Sequence, residues 1–471
     1  AVTLHAANHR APDADVLVVG AGVAGLAAAR ALHDAGRRVV LVEARDRIGG
    51  RLATRTLPGL ALPIELGAEF VHGLPEALLA LLDEAALPLV ESIEAHLSRG
   101  SDGRLGAQDD FSGGLGAVLG ALAAWGDGPA GEDLPFAAWL DAVLPGIAGD
   151  DPSARERLRA QALGYVEGYH GADATQASTR AIARAEGSAS GNDTAYRVPA
   201  GYARVGDWLC AGTGAPLDVR LSTVVRRIRR DAAGVTLDVA PRGGGAPATL
   251  RARAAIVTVP IGVLHAGADA EGALGFEPPL PPTHAAALDR LAMGTVARLV
   301  VQCRRPFWFD RALVPALAED AEPAALAFLH APGLPIPVWW TPRALRAPWL
   351  VGWAGGPAAD RLADRSPAER ADLARATLAA VLGLDRAALD AEVVAVHEHD
   401  WRADPYARGG YAWARVGGAD AGAALARGID DVLWIAGEGT VSDGDVGTVH
   451  GALASGRRAA AEVLRTLAAR A

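Results

Sequence analysis

The chain has 471 residues, of which 51% are hydrophobic, and a formal net charge of −10. This length suffices for two or three domain-sized units with large apolar cores, and the acidic balance argues against a nucleic-acid-binding protein. The sequence predicts no transmembrane helix, because the long uncharged stretch of residues 111–126 is shorter than the ~20 residues that span a bilayer. The two cysteines favour a reducing compartment, so we expect a cytoplasmic protein; an exported form whose leader was removed before Ala1 is the alternative.

The first part of the chain has the pattern of a nucleotide-binding unit. An apolar strand over residues 16–19 stops at Gly20, and Gly22 and Gly25 complete a G-x-G-x-x-G motif at the start of a helix. In such a motif the first glycine permits a tight turn, the second lets backbone N–H groups approach a pyrophosphate, and the third lets the helix pack closely on the strand. The motif therefore predicts a dinucleotide cofactor.

A second buried strand over residues 39–42 ends at Glu43. An acidic side chain at this point accepts hydrogen bonds from ribose hydroxyls and repels the 2′-phosphate of NADP. Further along, Gly49, Gly50 and Arg51 are expected to close over the same pyrophosphate through backbone and guanidinium contacts.

Three segments together resemble the flavin-dependent amine oxidases, a family that includes monoamine oxidases, polyamine oxidases and histone demethylases. The segments are GAGVAGLAAARAL, VEARDRIGGR and LGAEFVHG. The resemblance is nearest to the polyamine oxidase branch and implies FAD as the cofactor. It also implies that FAD is bound noncovalently, because Gly410 occupies the position where monoamine oxidases carry the cysteine that is bonded to the flavin.

Matching this chain to the family motifs, residue by residue, implies a set of FAD-binding positions. Val225 is expected to meet the adenine, and the helix that begins after Thr448 is expected to stabilise negative charge on the reduced ring. In chain order the set is Gly20, Gly22, Gly25, Glu43, Ala44, Arg45, Gly49, Gly50, Arg51, Gly67, Ala68, Glu69, Val225, Pro260, Trp401, Gly437, Glu438, Thr448, Val449 and Ala452.

The resemblance implies an α/β fold with two interleaved domains. The first is a discontinuous Rossmann-like FAD-binding domain, and the second is an α+β substrate-binding domain built from two insertions. We expect the FAD-binding domain to comprise residues 1–79, 199–291 and 423–471, and the substrate-binding domain to comprise residues 80–198 and 292–422.

Periodicity predicts the main elements of the two insertions. Residues 154–168 and 365–384 have helical spacing, whereas the tryptophan-rich region 324–357 is typical of antiparallel strands, and the glycine-rich stretch 98–131 predicts loops around one helix.

Aromatic and histidine pairs within the insertions have more than one interpretation. Tyr165 and Tyr169 are four residues apart and share a helix face, which is compatible with core packing and with lining a cavity. His397 and His399 alternate along a predicted strand, but no further set of ligands accompanies them, so no metal site is predicted.

Four residues are expected to carry the chemistry. Tyr411 and Thr448 match the two walls between which the family holds an amine, and threonine leaves room for a longer or secondary amine. His72 matches a histidine that lies near the flavin in polyamine oxidases, and as a neutral imidazole it is expected to accept a hydrogen bond from a distal amine. A bond to loop backbone is the alternative interpretation. Arg298 replaces the family lysine that holds a water molecule against flavin N5, and arginine stays charged in essentially any site.

The implied activity is that of a flavin-dependent amine oxidase acting on a polyamine or another primary or secondary amine. A hydride passes from the carbon beside the amine to flavin N5, water hydrolyses the imine to an aldehyde, and O2 is reduced to H2O2. Arg298 favours one alternative, an amine dehydrogenase with a different electron acceptor. An L-amino acid oxidase is disfavoured because Glu69 stands where such enzymes carry an arginine. A non-catalytic flavin-binding interaction protein is the alternative from another class.

Overall fold

The computed structural model describes residues 12–107, 114–126, 128, 132–187, 194–441 and 444–470. Expectations about the first residue and about residues 108–113, 127 and 129–131 of the glycine-rich stretch lie outside this part of the chain. The strands are β1 (Val16–Val19), β2 (Val39–Val42), β3 (Thr54–Arg55), β4 (Ile64–Glu65), β5 (Phe70–His72), β6 (Val90–Glu91), β7 (His96–Arg99), β8 (Leu105–Ala107), β9 (Ala195–Arg197), β10 (Asp218–Arg220), β11 (Thr223–Asp231), β12 (Gly234–Pro241), β13 (Ala248–Ala252), β14 (Ala254–Val257), β15 (Gly275–Glu277), β16 (Leu291–Met293), β17 (Val296–Cys303), β18 (Phe328–His330), β19 (Val338–Trp340), β20 (Trp349–Gly355), β21 (Val393–Glu398), β22 (Ala412–Ala414) and β23 (Leu433–Ile435).

Helices separate and cover these strands. They are α1 (Val23–Asp34), α2 (Glu76–Glu84), α3 (Gly116–Trp125), α4 (Phe136–Ala148), α5 (Pro152–His170), α6 (Thr179–Gly187), α7 (Arg204–Ala211), α8 (Ile261–Leu264), α9 (Pro282–Asp289), α10 (Gly356–Ala363), α11 (Pro367–Leu382), α12 (Arg386–Glu392), α13 (Ala421–Leu425) and α14 (Val449–Ala469).

A parallel five-stranded sheet collects strands that are far apart in sequence. Its order is β10-β2-β1-β14-β23, and all four neighbouring pairs are parallel. The strands β1, β2, β14 and β23 are buried along their whole length, as the continuous apolar runs of a sheet covered on both faces require. On one face α1 and α14 form a core with this sheet, and on the other face the sheet β13-β12-β11-β15 does so.

Glycines allow α1 and α14 to pack closely against the backbone of neighbouring elements. A Cβ atom at Gly25 would lie 1.8 Å from the carbonyl oxygen of Gly20, and one at Gly456 would lie 2.1 Å from that of Ala24. The first contact brings α1 onto the end of β1, and the second brings α14 against α1. The close packing predicted for the third glycine of the motif is therefore present.

A seven-stranded sheet forms the second main layer, in the order β21-β17-β20-β19-β18-β7-β8. One of its faces packs against α11 and its neighbours around a core that includes Leu299 and Trp339. The helices α3 to α6 make a separate core around Phe136, Trp139 and Leu140. The opposite face of the sheet borders the cavity described below.

The structure contains the helices and strands predicted in the two insertions and differs from the prediction at one place. Helix α5 covers the predicted helical region 154–168, and α11 lies within the predicted region 365–384, two residues shorter at each end. The strands β18, β19 and β20 pair antiparallel in the tryptophan-rich region. Within the stretch predicted as loops, however, β8 pairs antiparallel with β7 at the edge of the seven-stranded sheet. The expectation of loops was wrong here because strand pairing within the sheet overrides the weak local preference of a glycine-rich segment. Within the described residues, no helix combines the length and the apolar character that a membrane crossing requires.

Candidate active site

A large continuous cavity extends from the carboxyl ends of the parallel strands to the inner face of the seven-stranded sheet. Its volume is about 2170 Å³, roughly twice the upper end of the ~300–1,000 Å³ that is typical of small-molecule pockets. The cavity is therefore large enough for a dinucleotide and a second molecule together. Every site residue predicted from the sequence lines it except Gly25, which is used in helix packing.

The end of the cavity at the parallel sheet has the features of an anion-binding cradle. Gly20 has a φ of +99°, which an L side chain rarely adopts. At Gly22 an added Cβ would meet no atom within 4 Å, so a side chain there would fill cavity space. Gly22 is also the N-cap of α1 and provides no side-chain cap to the first turn of the helix. The backbone N–H groups of this turn can therefore bind a pyrophosphate, which fits the predicted FAD.

Glu43 holds the loops around this cradle in place. Its buried carboxylate accepts hydrogen bonds from the backbone N–H groups of Ala21, at 2.7 Å, and Arg45, at 2.8 Å. A carboxylate has about four acceptor positions, so two bonds leave capacity for ribose hydroxyls. The same side chain thus orders the loop and borders the cavity.

Glu438 and Arg51 connect segments from opposite ends of the chain. Arg51 Nη1 lies 2.6 Å from Glu438 Oε1 and donates to the carbonyl oxygen of Gly410 at 2.7 Å. The same carboxylate accepts from the N–H groups of Ala412 and Gly447. The guanidinium predicted to close over the pyrophosphate therefore also fixes the backbone that precedes Tyr411.

Glu69, which was predicted as an FAD-binding residue, lies at the centre of a buried network of ion pairs. Arg197 Nε donates to Glu69 Oε1 at 2.8 Å, and Arg298 Nη2 donates to Oε2 at 2.6 Å. The indole N–H of Trp340 also donates to Oε2, at 3.0 Å. Burial alone would raise the pKa of Glu69, but the charges of Arg298 and Arg197 outweigh it and lower the pKa to about 2.

Arg298 is held from two sides. Besides its bond to Glu69, its Nε donates to the carbonyl oxygen of Glu65 at 2.8 Å, and its guanidinium carbon lies 5.3 Å from the ring centre of Trp340. Nη1 makes no hydrogen bond to the described residues, while the residue, 5% exposed, borders the cavity. Arg298 therefore presents a fixed positive charge and one available terminal nitrogen.

Sequence reasoning did not find Glu65, Arg197, Trp340 and Trp353 as neighbours of this site. Burial raises the pKa of Glu65 to about 7, and Trp353 lies directly opposite Arg298 in the pairing of β17 with β20. The alternation of β17 could have indicated which face Arg298 occupies, but the partner strand comes from a separate region of the chain.

Aromatic rings form the wall beside Tyr411. Tyr165 and Tyr169 stack with their ring centres 5.5 Å apart, and Tyr169 meets His72 edge-on at 5.8 Å. The hydroxyl of Tyr411 donates to the carbonyl oxygen of Tyr169 at 2.7 Å. Tyr165 and Tyr169 both border the cavity, so the face of α5 that they share lines the cavity and also packs against neighbouring rings.

The two remaining predicted residues lie in the same part of the cavity. Burial, together with the nearby His450, lowers the pKa of His72 to about 4, so its imidazole is neutral at physiological pH. Thr448 is the N-cap of α14: its hydroxyl accepts from the N–H of Gly451 at 2.9 Å and donates to the carbonyl oxygen of Asp445 at 2.7 Å. Among the residues that the structure describes, there is no group of three or more His, Cys, Asp or Glu side chains arranged to bind a metal.

Comparison with known proteins places this geometry in a family. The model of flavin containing amine oxidoreductases matches residues 23–464. The chain is 29% identical to putrescine oxidase from Kocuria rosea, with 97% of this chain and 96% of that protein aligned. It is 28% identical to polyamine oxidase 2 from Arabidopsis thaliana, over 94% and 87% of the two chains.

Two further comparisons cover different shares of the aligned proteins. The match to mouse lysine-specific histone demethylase 1B, at 28% identity, spans 65% of this chain but only 37% of that longer protein. The structure of cyclohexylamine oxidase from Brevibacterium oxydans IH-35A aligns with a TM-score of 0.76 and 25% identity, over 97% of this chain and 100% of the other. These findings confirm the predicted α/β fold, the enzyme class and the cofactor FAD: the chain belongs to the flavin containing amine oxidoreductase family.

Proposed function

We propose that this protein oxidises a primary or secondary amine to an imine, which water hydrolyses to an aldehyde with release of ammonia or of an amine. The two electrons pass finally to O2, which is reduced to H2O2. One observation carries the proposal: the cradle at Gly22 and the aromatic wall at Tyr411 belong to one continuous cavity. A cofactor and an amine bound at these two ends share one continuous space.

The residues around the cradle would hold FAD, which, when bound, supplies the electron acceptor for the C–H bond beside the amine nitrogen. The first turn of α1 would bind the pyrophosphate and Glu43 the ribose. Arg51 would add a positive charge beside the phosphates while keeping Gly410 in place. A Cβ at Gly410 would lie 2.6 Å from Cγ2 of Val296, so a cysteine at this position would require the Val296 side chain to shift. We therefore propose noncovalent binding, with the predicted division into FAD-binding and substrate-binding domains.

The aromatic wall would orient the amine. The face of the Tyr411 ring provides an apolar surface that excludes water, and its hydroxyl is fixed on Tyr169, so the ring is preoriented. His72, being neutral, adds no positive charge that would oppose an ammonium group and can accept a hydrogen bond from a second amine. Thr448 is short and its hydroxyl is engaged, which leaves space for a substituent on the nitrogen.

The second candidate function is that of an amine dehydrogenase, and the presence of an arginine at position 298 favours it. Its guanidinium is fixed by Glu69 and Glu65 and keeps its charge, so it cannot exchange a proton with a water molecule as a lysine can. A fixed cation still stabilises negative charge near it, but it does not deliver a proton to O2.

Anaerobic mixing with a panel of polyamines, monoamines and amino acids tests the proposal. We expect the flavin absorbance to bleach with at least one amine class; a flavin that stays oxidised with all of them contradicts the assignment as an amine-oxidising enzyme. Admitting oxygen to the reduced protein then separates the two candidates. Rapid recovery of the colour with stoichiometric H2O2 supports an oxidase, whereas recovery only with a quinone or a protein acceptor supports the dehydrogenase.

A further inference from the structure

The buried carboxylate of Asp404 connects two segments that are far apart in the chain. Its Oδ2 accepts from Arg45 Nη2 at 2.9 Å and lies 2.8 Å from His399 Nε2, while its Oδ1 accepts from the backbone N–H of Tyr406 at 2.9 Å. Arg45 precedes Asp404 by 359 residues. Arg45 and Tyr406 border the cavity, whereas Asp404 lies outside the residues that border it. Asp404 therefore acts on the cavity through the residues that it binds.

The carboxylate of Asp404 is ionised. Burial alone would raise its pKa, but the hydrogen bond with His399 and the charge of Arg45 outweigh burial and hold the pKa of Asp404 well below its usual range. An ionised carboxylate only accepts hydrogen bonds, so His399 Nε2 is the donor. The centre of the His399 ring lies 4.1 Å from that of Trp401, which is buried and borders the cavity. One carboxylate therefore fixes Arg45 directly and supports Trp401 through His399.

Glu43 is a second carboxylate beside the same guanidinium. Its Oε1 lies 3.8 Å from Arg45 Nη1, which is beyond hydrogen-bond distance, whereas the bond to Asp404 is 2.9 Å long. Among the described residues, Glu43 and Asp404 are the two carboxylates within 4 Å of the Arg45 guanidinium. A guanidinium released by Asp404 would therefore pair with Glu43 and occupy acceptor positions that are otherwise open to ribose hydroxyls.

This group of residues lies at the end of the cavity where the adenosine half of FAD is expected. The backbone N–H of Thr223 donates to the carbonyl oxygen of Glu43 at 2.8 Å, and Val225, which is expected to meet the adenine, borders the cavity two residues later. The guanidinium carbon of Arg45 lies 5.7 Å from the ring centre of Tyr406. Arg45 makes one side-chain hydrogen bond to the described residues, the bond to Asp404, so its other N–H groups can bind a nucleotide.

The other charged side chains near this end of the cavity are engaged or compensated. Beyond the Tyr406 ring, Arg242 and Glu271 carry opposite charges. Arg47 lies outside the residues that border the cavity and donates to three backbone carbonyl oxygens, those of Ile48, Gly50 and Leu52. Glu43 and Arg45 are therefore the charged groups in the cavity wall here, and Asp404 lies directly behind Arg45.

We propose that Asp404 is a positioning residue for the adenosine half of FAD. By binding the Arg45 guanidinium, it keeps the Glu43 carboxylate open to the ribose hydroxyls and presents Arg45 to the nucleotide. Its negative charge also adds to that of Glu43 in disfavouring a phosphate group on this ribose. The inference depends on FAD as the cofactor and not on the oxidation of an amine, so it goes beyond the proposed function.

Fluorescence titration of the flavin-free protein with FAD tests the positioning. Asp404→Asn keeps the shape of the side chain and an oxygen for the Tyr406 N–H, but its NH2 group then faces Arg45 and His399. We expect the Kd for FAD to rise about tenfold, the effect of one charge-assisted hydrogen bond. In an Arg45→Gln background the same substitution should raise the Kd less than about twofold, because the two side chains act together. A wild-type Kd in Asp404→Asn, or an equal rise in both backgrounds, would overturn the inference.

Glu398→Gln is the matched control. It breaks a guanidinium–carboxylate pair with Arg370 directly before His399, and both partners lie outside the residues that border the cavity. It should lower the melting temperature of the flavin-free protein about as much as Asp404→Asn does and leave the Kd for FAD at the wild-type value. An equal rise of this Kd in Glu398→Gln would overturn the inference, since weaker FAD binding would then follow from general destabilisation.

Two ligands that lack the flavin ring test the effect of charge. ADP-ribose and its 2′-phosphorylated form differ only in the phosphate on the adenosine ribose, and each can be measured as a competitor of FAD. We expect Asp404→Asn to shift the ratio of their Kd values about threefold in favour of the phosphorylated ligand, and Arg45→Gln to shift it in the opposite direction. Disturbed packing alone would weaken both ligands alike, so an unchanged ratio in both variants would overturn the inference.

Arg45→Gln decides the question if Asp404→Asn does not fold, because it removes the same ion pair and leaves Asp404 bonded to His399 and Tyr406. A wild-type Kd for FAD in Arg45→Gln would overturn the inference. These measurements require no turnover. If no amine bleaches the flavin, the proposed function fails while the Kd values still decide the role of Asp404.

Discussion

Two guanidinium groups share one carboxylate beside the proposed reaction centre, and they differ in what else they contact. Arg298 borders the cavity, whereas Arg197 bonds Ser92 and the carbonyl oxygens of Thr341 and Arg343 behind it. Glu69 therefore links Arg298, whose charge lies in the cavity wall, to Arg197 and its partners in the protein interior. Because buried charges are costly unless paired, the network must remain intact for Arg298 to keep its position.

Substituting lysine for Arg298 tests the role of this position in oxygen chemistry. A buried lysine can lose its proton and act through a water molecule, so we expect Arg298→Lys to speed reoxidation of the reduced flavin by O2 about tenfold, equivalent to ~1.4 kcal/mol of barrier. Stopped-flow absorbance measures this rate directly.

Arg197→Lys is the matched control, because it makes the same substitution on the same carboxylate away from the cavity wall. Its reoxidation rate should stay at the wild-type value. Equal rates in Arg298→Lys and the wild type would show that Arg298 does not limit the reaction of the reduced flavin with O2.

The pH dependence of stability should reveal the buried carboxylate. The pKa of Glu69 is about 2 in the folded protein and near 4.5 when unfolded. Its contribution to the free energy of unfolding, about 3 kcal/mol, is therefore complete above pH 4.5 and is lost as the pH falls towards 2. Denaturant unfolding of the wild type and of Glu69→Gln should give free energies that differ by about this amount at pH 7 and converge on acidification.

Glu84→Gln, on the exposed face of α2, removes a charge without breaking a buried pair and should change stability by less than about 0.5 kcal/mol. A difference between wild type and Glu69→Gln that stays constant from pH 7 to pH 3 would show that the carboxylate does not titrate as the ion network requires.

At the residue scale, the sequence predicted the positions of Arg298 and Glu69 but not the residues that each of them contacts. The family motifs led to Arg298 and Glu69 separately, yet the two are 229 residues apart and their bond depends on how β17 lies against the segment after β4. A side chain's partner is a property of the packed fold, and neither local pattern nor residue type contains it.

At the element scale the glycines of the first helix have separable functions. Gly22 leaves space in the cavity, whereas Gly25 leaves space for a carbonyl group. We expect Gly25→Ala to displace α1 from β1 and so to weaken FAD binding and lower the melting temperature, because the added Cβ would lie 1.8 Å from the oxygen of Gly20. Fluorescence titration with FAD and thermal unfolding measure the two effects.

Gly120→Ala in α3 is the comparison, since an added Cβ there meets nothing within 4 Å. In this exposed helix interior alanine should be neutral or stabilising by about 0.5–1 kcal/mol. Equal FAD affinity in Gly25→Ala and the wild type would contradict the packing role of Gly25.

The elements that the sequence predicted well are those with strong periodicity of their own. The strand before Gly20 and the helices α5 and α11 follow from apolar spacing. In contrast, β8 has only three residues and depends on β7 for its hydrogen bonds, so its strand state could not be predicted from its own composition. The position of Trp353 opposite Arg298 is of the same kind, because it arises from register between strands.

At the scale of the whole molecule, the cofactor site is assembled from segments near both ends of the described chain. FAD should therefore stabilise the entire fold, raising the free energy of unfolding by about 2.7 kcal/mol at one hundred times its Kd. Thermal unfolding of flavin-free protein at increasing FAD concentrations should show a continuous rise in melting temperature; a melting temperature independent of FAD would contradict the assembled site.

The noncovalent attachment makes a separate prediction for the holoenzyme. After acid precipitation we expect all of the flavin in the supernatant, since Gly410 offers no side chain for a covalent bond. Flavin absorbance that remains with the precipitated, washed protein would contradict this, and mass spectrometry of the intact chain is the independent check.

The contact between Gly456 and Ala24 has a consequence for biosynthesis. Because α14 packs against α1 and follows it by more than 400 residues, the nucleotide-binding unit lacks this covering helix until α14 has been translated. Its apolar surface stays open to chaperones and proteases during that time. We therefore expect the FAD site to be complete only after α14 has docked on α1.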